Sequence, residues 1–270
     1  PAQMNKQFTP DLIPAGGEAL LSVNIYNPNY FPLTLSSVPA AWVDTLPDGV
    51  TFVSPAQTTT TCGGTVVIIG QSLSLVGGTV PAQVGDTPGS CTVTAKVTSV
   101  VAGNHDNAIP ANNLHATDPT GTISITNTTP ATHTLQVDSM APPSLSKSFS
   151  PNTQWIGQTS QLSIQIRNND LNYPLTETRL TDNLPENVVI ANNTVSFSNC
   201  GSTVYVTGPG GVPLAEDQTS LSIYNAVVQP DTTCTVRVNV TSTVPNVYVN
   251  TIQANAINDK QAVTNASAAS

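Results

Sequence analysis

The chain repeats itself. Lys6, Phe8 and Pro10 of "MNKQFTP" recur as Lys147, Phe149 and Pro151 of "LSKSFSP", each 141 residues on, and the same offset lays "LSVNIYN" (21 to 27) over "LSIQIRN" (162 to 168). At slightly smaller offsets "VDTLPDGV" (43 to 50) meets "TDNLPENV" (181 to 188), and Cys62 meets Cys200. Further on, "CTVTAKVTS" (91 to 99) lies over "CTVRVNVTS" (234 to 242), and Thr126 and Asn127 over Thr264 and Asn265. A repeat of this length means two copies of one module, and in a chain of 270 residues each copy is long enough to bury its own core. Two prolines in "DSMAPPSLSK" break the pattern and set the joint near residue 142. Domain 1 is thus expected at 1–142 and domain 2 at 143–270, with a short, semi-rigid spacer between them.

Within each copy the apolar residues alternate with polar ones. Leu21, Val23 and Ile25 are interleaved with Ser22, Asn24 and Tyr26, and Leu162, Ile164 and Ile166 repeat the arrangement. Val93, Ala95 and Val97 do the same, as do Val236, Val238 and Val240. A period of two means half-buried strands. No stretch sustains helical spacing, and 22 prolines and 17 glycines supply turns between the runs. An all-β chain of two tandem immunoglobulin-like β-sandwich domains is the expectation.

Charge excludes several functions. Only 9% of residues are charged and the net charge is −9, so the clustered Lys and Arg that nucleic acid requires are missing. A lysine-poor surface of Ser, Thr, Asn and Gln suits a protein outside the cell. No apolar run is long enough for a membrane span, and no signal peptide is present, as in a mature or cut chain. G-x-S-x-G, phosphate-cradling glycine loops and H-E-x-x-H are all lacking, and the four glutamates (18, 177, 186 and 216) pair with no aspartate in a repeated acid/base arrangement, so an enzyme is not expected.

The cysteines fall two per copy. Cys62 precedes Cys91 by 29 residues and Cys200 precedes Cys234 by 34, so of the three pairings open to four cysteines the repeat favours Cys62 with Cys91 and Cys200 with Cys234 over free thiols. Closing a loop of that size contributes on the order of 3 kcal/mol, and requires an oxidising compartment. No C-x-x-C or neighbouring His makes a metal site of them.

The series K-x-F-[ST]-P, an L-S-x-x-I strand, N-x-x-x-x-P-L, x-D-x-L-P-x-x-V, C-G, C-T-V and a final T-N-A-S-A resembles the bacterial surface-repeat family known as domain of unknown function number eleven, along nearly the whole chain, twice. The resemblance implies tandem β-sandwich modules of secreted and cell-wall proteins, acting as stalks or spacers without cofactors or catalysis. Two departures stand out. Copy one carries extra residues before Asp44 and a longer insertion, "GNHDNAIPANNLHATDPTG" (103 to 121), before its last strands. Copy two stops at "TNASAAS" without an ending like Leu135 to Val137, which leaves its closing edge strand incomplete unless a neighbouring subunit supplies one or the chain is cut there.

Two of only four lysines open the two copies. A lysine held against apolar neighbours loses hydration, so its neutral amine becomes accessible as a nucleophile, while a buried aspartate drifts toward its acid form and can polarise a carboxamide. Lysine, acid and asparagine are the ingredients of the self-formed isopeptide bond of pilin and adhesin domains similar to these. The expected sets are Lys6, Asp44 and Asn127 in domain 1, and Lys147, Asp182 and Asn265 in domain 2. Asn107 and Asn250 also match between the copies and are the second choice. A buried Lys–Asp ion pair, or a lysine with its head in water, are the simpler readings.

Other candidates are thinner. His105 with Asp106, and His115 with Asp118, could hold a metal, although Asn- and Asp-rich loops more often bond their own backbone, and "NNDLNYP" (168 to 174) lacks calcium-loop spacing. No metal is therefore assigned. Sequons at Asn127, Asn192, Asn239 and Asn265 would be incidental in a bacterial protein. Function is expected to be structural, a stalk or filament segment whose partners are neighbouring repeats or subunits. The competing expectation is an adhesin that binds a host or matrix ligand through loops of domain 1.

Overall fold

The computed structural model describes all residues, 1–270, and contains strands, turns and a single 3₁₀ turn at Pro209–Gly211. Two compact units divide the chain, Pro1–Ser139 and Met140–Ser270. The division falls three residues before the joint expected from the prolines, because Met140 is buried in the second core and the Ala141 amide donates to Asp170.

Domain 1 is built on one antiparallel ladder. Gln3–Thr9 pairs with Glu18–Asn27, whose other edge pairs with Gly89–Ser99. Val50–Phe52 and Thr58–Thr60 line the far edge of that third strand. Alternation in the sequence becomes alternation in space: Leu21, Val23, Ile25, Val93, Ala95 and Val97 all point inward and are fully buried. They meet Trp42, Leu73 and Leu75 from the facing sheet of Trp42–Thr45, Ser72–Val76 and Thr65–Ile69. A third sheet closes the side of the sandwich. Its central strand, Ala131–Asp138, runs antiparallel to Gly103–Ile109 and parallel to Leu12–Pro14.

Domain 2 repeats the plan. Ser144–Ser150, Ser160–Arg167, Thr233–Thr241 and Val189–Ser198 form one sheet, and Leu175–Asn183, Ser220–Val228 and Tyr205–Thr207 the other. Together the two units are tandem immunoglobulin-like β-sandwiches. Disulfides join Cys62 to Cys91 and Cys200 to Cys234. Each ties a central strand of the larger sheet to a segment distant in sequence, so the bond shortens the unfolded chain where hydrogen bonding alone would let it open.

The stretch 103–121 is not an insertion as a whole. Ser99 Oγ bonds the Val101 backbone and Ser242 Oγ that of Val244, while the rings of His105 and Tyr248 each reach the carbonyl of those valines. Strand Gly103–Ile109 therefore corresponds to residues 246–252. The true excess in domain 1 lies beyond Leu114, in the small ladder of Ala116–Thr117 with Ser124–Ile125 and the turn that Asp118 organises by accepting the amides of Thr122 and Ile123.

Replacing Cys200 and Cys234 together by alanine is expected to lower the stability of domain 2 by on the order of 3 kcal/mol, read as an earlier urea midpoint, with domain 1 unchanged.

A buried lysine, aspartate and asparagine in each domain

Lys6 stands on the opening strand, facing inward between Met4 and Phe8, and is 1% exposed. It faces Asp44 on strand Trp42–Thr45, which is also 1% exposed, across a Nζ to Oδ1 distance of 2.5 Å. In domain 2, Lys147 Nζ lies 2.8 Å from both oxygens of Asp182, on Leu175–Asn183. Thus each pair links the two sheets through the interior. The leucine after the aspartate, in the D-x-L-P run, is itself buried in the core, which fixes the aspartate facing inward two residues before it.

Burial pushes the Lys6 ammonium down from 10.5 to about 8, against the opposing pull of Asp44. Lys147 is lowered for the same reason, with Asp182 opposing. A buried ammonium retains its proton only because a carboxylate touches it.

A third group completes each site. Asn107 Nδ2 donates to Asp44 Oδ2 at 3.3 Å, and Asn250 Nδ2 donates to Asp182 Oδ2 at 2.9 Å. Both carboxamides are buried, and the Oδ1 atom of each has no hydrogen-bond partner. An orphaned buried carbonyl is costly, and here it recurs at matching positions in two independent domains.

Asn127 and Asn265, the first choice from the sequence, are not in these sites. The Asn127 backbone does run beside the opening strand, bridging Ala2, but its side chain turns into its own loop. There Nδ2 donates to the carbonyls of Pro110 and Thr129, and Oδ1 accepts the Leu114 amide. Asn265 does the same with Gln253, Ser267, Ala256 and Ile257. Fully engaged with irregular backbone, these carboxamides act as plugs that satisfy buried loop groups. Asn27, and Asn168 at the head of the "NNDLNYP" stretch, hold the carbonyls of Phe31 and Pro81, and of Tyr173 and Val228, in the same way.

The histidines are engaged too. His105 faces the carbonyls of Asp48 and Val101 with its two ring nitrogens, and His133 Nδ1 accepts the Phe8 amide at 3.3 Å. Asp106 accepts the hydroxyl of Thr134, and Asp118 is surrounded by its own turn. The backbone amide of His115 donates to the Ala41 carbonyl. No helix is long and apolar enough to cross a membrane.

Comparison with known proteins gives one family. A model described as "Domain of unknown function (DUF7933)" matches residues 2–137 and again 143–270. No curated protein matches the sequence. Among solved structures, the chain is similar to the C-terminal domain of the antigen I/II polypeptide BspA of Streptococcus agalactiae, at 9% identity and a TM-score of 0.38, covering 100% of this chain and 98% of that one. The C-terminal domain of the antigen I/II-family protein AspA of Streptococcus pyogenes shows 10% identity and a TM-score of 0.36, covering 99% and 98%. The type II cohesin dyad of the adaptor scaffoldin ScaA of Acetivibrio cellulolyticus shows 13% and 0.32, covering 90% and 86%. Likenesses this loose decide nothing about function.

Replacing Asn127 or Asn265 by alanine removes the partner of three or four buried backbone groups at once. Each change is expected to cost about 2–4 kcal/mol, seen as a lowered unfolding midpoint of its own domain alone.

Proposed function

The chain belongs to this family of unknown function, carrying its domain twice, and from that premise we propose that it is a structural stalk or spacer segment of a bacterial surface protein, each sandwich tied by a disulfide and by a Lys–Asn isopeptide bond. The observation that carries the reading is the Lys–Asp–Asn set, buried and repeated, with an unpartnered carboxamide oxygen in both copies. The disulfides support an oxidising, extracytoplasmic setting, and the resemblance to the surface repeats of family number eleven supports the stalk role. Chemistry of this kind occurs once per domain and is maturation, not turnover.

The residues named are Lys6 with Asn107, promoted by Asp44, and Lys147 with Asn250, promoted by Asp182. Proton transfer from Nζ to the aspartate gives a neutral amine beside a carboxylic acid. A half-turn of the carboxamide presents its oxygen to that acid, which polarises Cγ for attack. The new Nζ–Cγ bond forms and the Cγ–Nδ2 bond breaks, and the leaving nitrogen takes up both the proton that the attacking amine loses and the proton held by the aspartic acid, departing as ammonium. The aspartate ends as it began. In domain 1 such a bond links the opening strand to Gly103–Ile109, two segments with no ladder between them.

An adhesin acting through domain 1 loops has less behind it. Most of the 103–121 stretch that favoured it has a counterpart in domain 2.

Intact mass under reducing conditions tests the proposal. Two ammonia masses should be missing from the full chain, one fewer in Lys6→Ala, Asp44→Ala or Asn107→Ala, and one fewer in the matching domain 2 variants, whereas Asn127→Ala should retain both deficits. A full mass in the unaltered chain would return both lysines to ion pairing alone. The reactive amine–acid pair carries the same single proton as the ion pair, so the rate in domain 1 is expected to be flat at neutral pH and to fall above about 8, where Lys6 gives that proton up. Timed mass spectra of freshly folded protein at several pH values would show it.

A further inference from the structure

Two tyrosines of domain 2 meet at the edge of its three-stranded sheet. Tyr205, on Tyr205–Thr207, stands directly opposite Tyr224, on Ser220–Val228, in the antiparallel register. Both leave the sheet on its outer face, because Leu221 and Ile223 take the inward positions of the longer strand and are buried. The two rings are stacked, with centroids 5.3 Å apart and planes 14° from parallel. Tyr205 is 47% exposed and Tyr224 half-buried, so solvent reaches the pair.

Neighbouring groups hold the pair in place. Thr178 and Leu180 pair with Ala226 and Ile223, so Ser220–Val228 carries an extra residue there, and this bulge sets Tyr224 and Asn225 against Arg179. Asn225 takes the left-handed backbone (φ 53°) at the bulge, and its carbonyl accepts the hydroxyl of Thr203, two residues before Tyr205. The Arg179 guanidinium lies over the Tyr224 ring, 5.9 Å from its centroid, and comes from the strand on the side away from Tyr205. Tyr224 is thus confined between a cation and a second ring.

Position in the fold gives the pair a task. The corresponding strands of domain 1, Thr65–Ile69 and Ser72–Val76, meet in five residue pairs and are joined by residues 70 and 71 alone. In domain 2 the edge strand makes three pairs, and the chain runs through residues 208–219 before it returns. A longer loop costs more entropy to close, and a shorter ladder returns less for it. This edge of domain 2 is therefore held more weakly by its backbone than its counterpart.

We propose that Tyr205 and Tyr224 are an oxidative cross-linking site, where a peroxide joins the two rings by a carbon–carbon bond between Cε atoms and so ties the edge strand to its sheet. Each phenol gives one electron and its hydroxyl proton to the oxidant, leaving a phenoxyl radical whose unpaired electron is shared by the ortho carbons. The two radicals couple, Cε to Cε. Each of these carbons then releases its hydrogen as a proton while the phenol oxygen takes one up, which restores both hydroxyls. The net change is the loss of two ring hydrogens, and the two electrons and two protons reduce one hydrogen peroxide to two waters. Because the rings face outward, the bond forms without disturbing the core. It is independent of whether the isopeptide bonds form, and it suits the oxidising compartment that the disulfides require.

Treating the full chain, in dilute solution, with hydrogen peroxide and a peroxidase tests the assignment. Three results are expected: an intact mass lower by two hydrogens than that of the untreated chain, the blue fluorescence of a biphenol, and one linked pair of peptides containing Tyr205 and Tyr224 after digestion. Tyr205→Phe and Tyr224→Phe keep a stacked ring in place and should abolish both the fluorescence and the linked peptide. Oxidation that gives only added oxygen or chains linked to one another, with no peptide joining Tyr205 to Tyr224, would overturn the proposal. So would the same mass loss and fluorescence in either phenylalanine variant.

Discussion

A lysine ammonium taken out of water is the constraint around which each domain is arranged. Its presence obliges the facing sheet to bring an aspartate to the same depth, and the sheets must then keep a fixed separation and register, because a displacement of one residue would turn the aspartate to the outside and leave the ammonium unanswered. The apolar residues on either side, Met4 and Phe8 in domain 1, exclude the water that would otherwise relax the requirement. An ion pair of this kind adds little net stability compared with a well-packed hydrophobic pair. What it does supply is a unique alignment of two sheets whose other contacts are interchangeable Val, Leu and Ile.

Asparagine takes two unlike roles in this framework. Asn27, Asn127, Asn168 and Asn265 sit where the chain leaves regular ladders, and their carboxamides take up the stray carbonyls and amides of buried loops. Asn107 and Asn250 instead point at a charge pair, each with an oxygen that nothing satisfies. The first set shows carboxamides at rest, fully paired, and the second shows one placed beside an amine and an acid. Side-chain surroundings, not residue type, separate the two.

That separation also explains what could be read in advance. Period-two runs such as Leu21, Val23 and Ile25 report a half-buried strand directly, and the copy-to-copy matches single out Lys6 with Lys147 and Asp44 with Asp182 because almost no other charge recurs. Two asparagines recur as well, in "VNTIQA" and "TNASA", and sequence cannot rank them: the choice depends on a loop folding back so that Asn127 reaches Pro110 and Thr129. The counterpart of Gly103–Ile109 was hidden for another reason. "GNHDNAI" and "NVYVNTI" share little beyond an Asn and an Ile, and the second lacks the partner strand that would give it a strand's alternation in burial. Likewise the joint was set by its prolines, although Met140 before them already packs into the second core.

The placement of charge has a consequence for the medium. Of four lysines, two are sealed inside with their aspartates, beyond the reach of mobile ions, whereas Lys96 with Glu18 and Arg167 with Asp231 form pairs on the surface, both substantially exposed. Dissolved salt acts on exposed charges within a Debye length of about 8 Å at physiological strength and hardly on buried ones. A coat of Thr, Ser and Asn over a sealed ionic interior therefore leaves brine and fresh water little to act on beyond a mild acidic self-repulsion. Salt therefore acts on the folded chain through its exposed charges and leaves the two Lys–Asp pairs inside the sandwiches untouched.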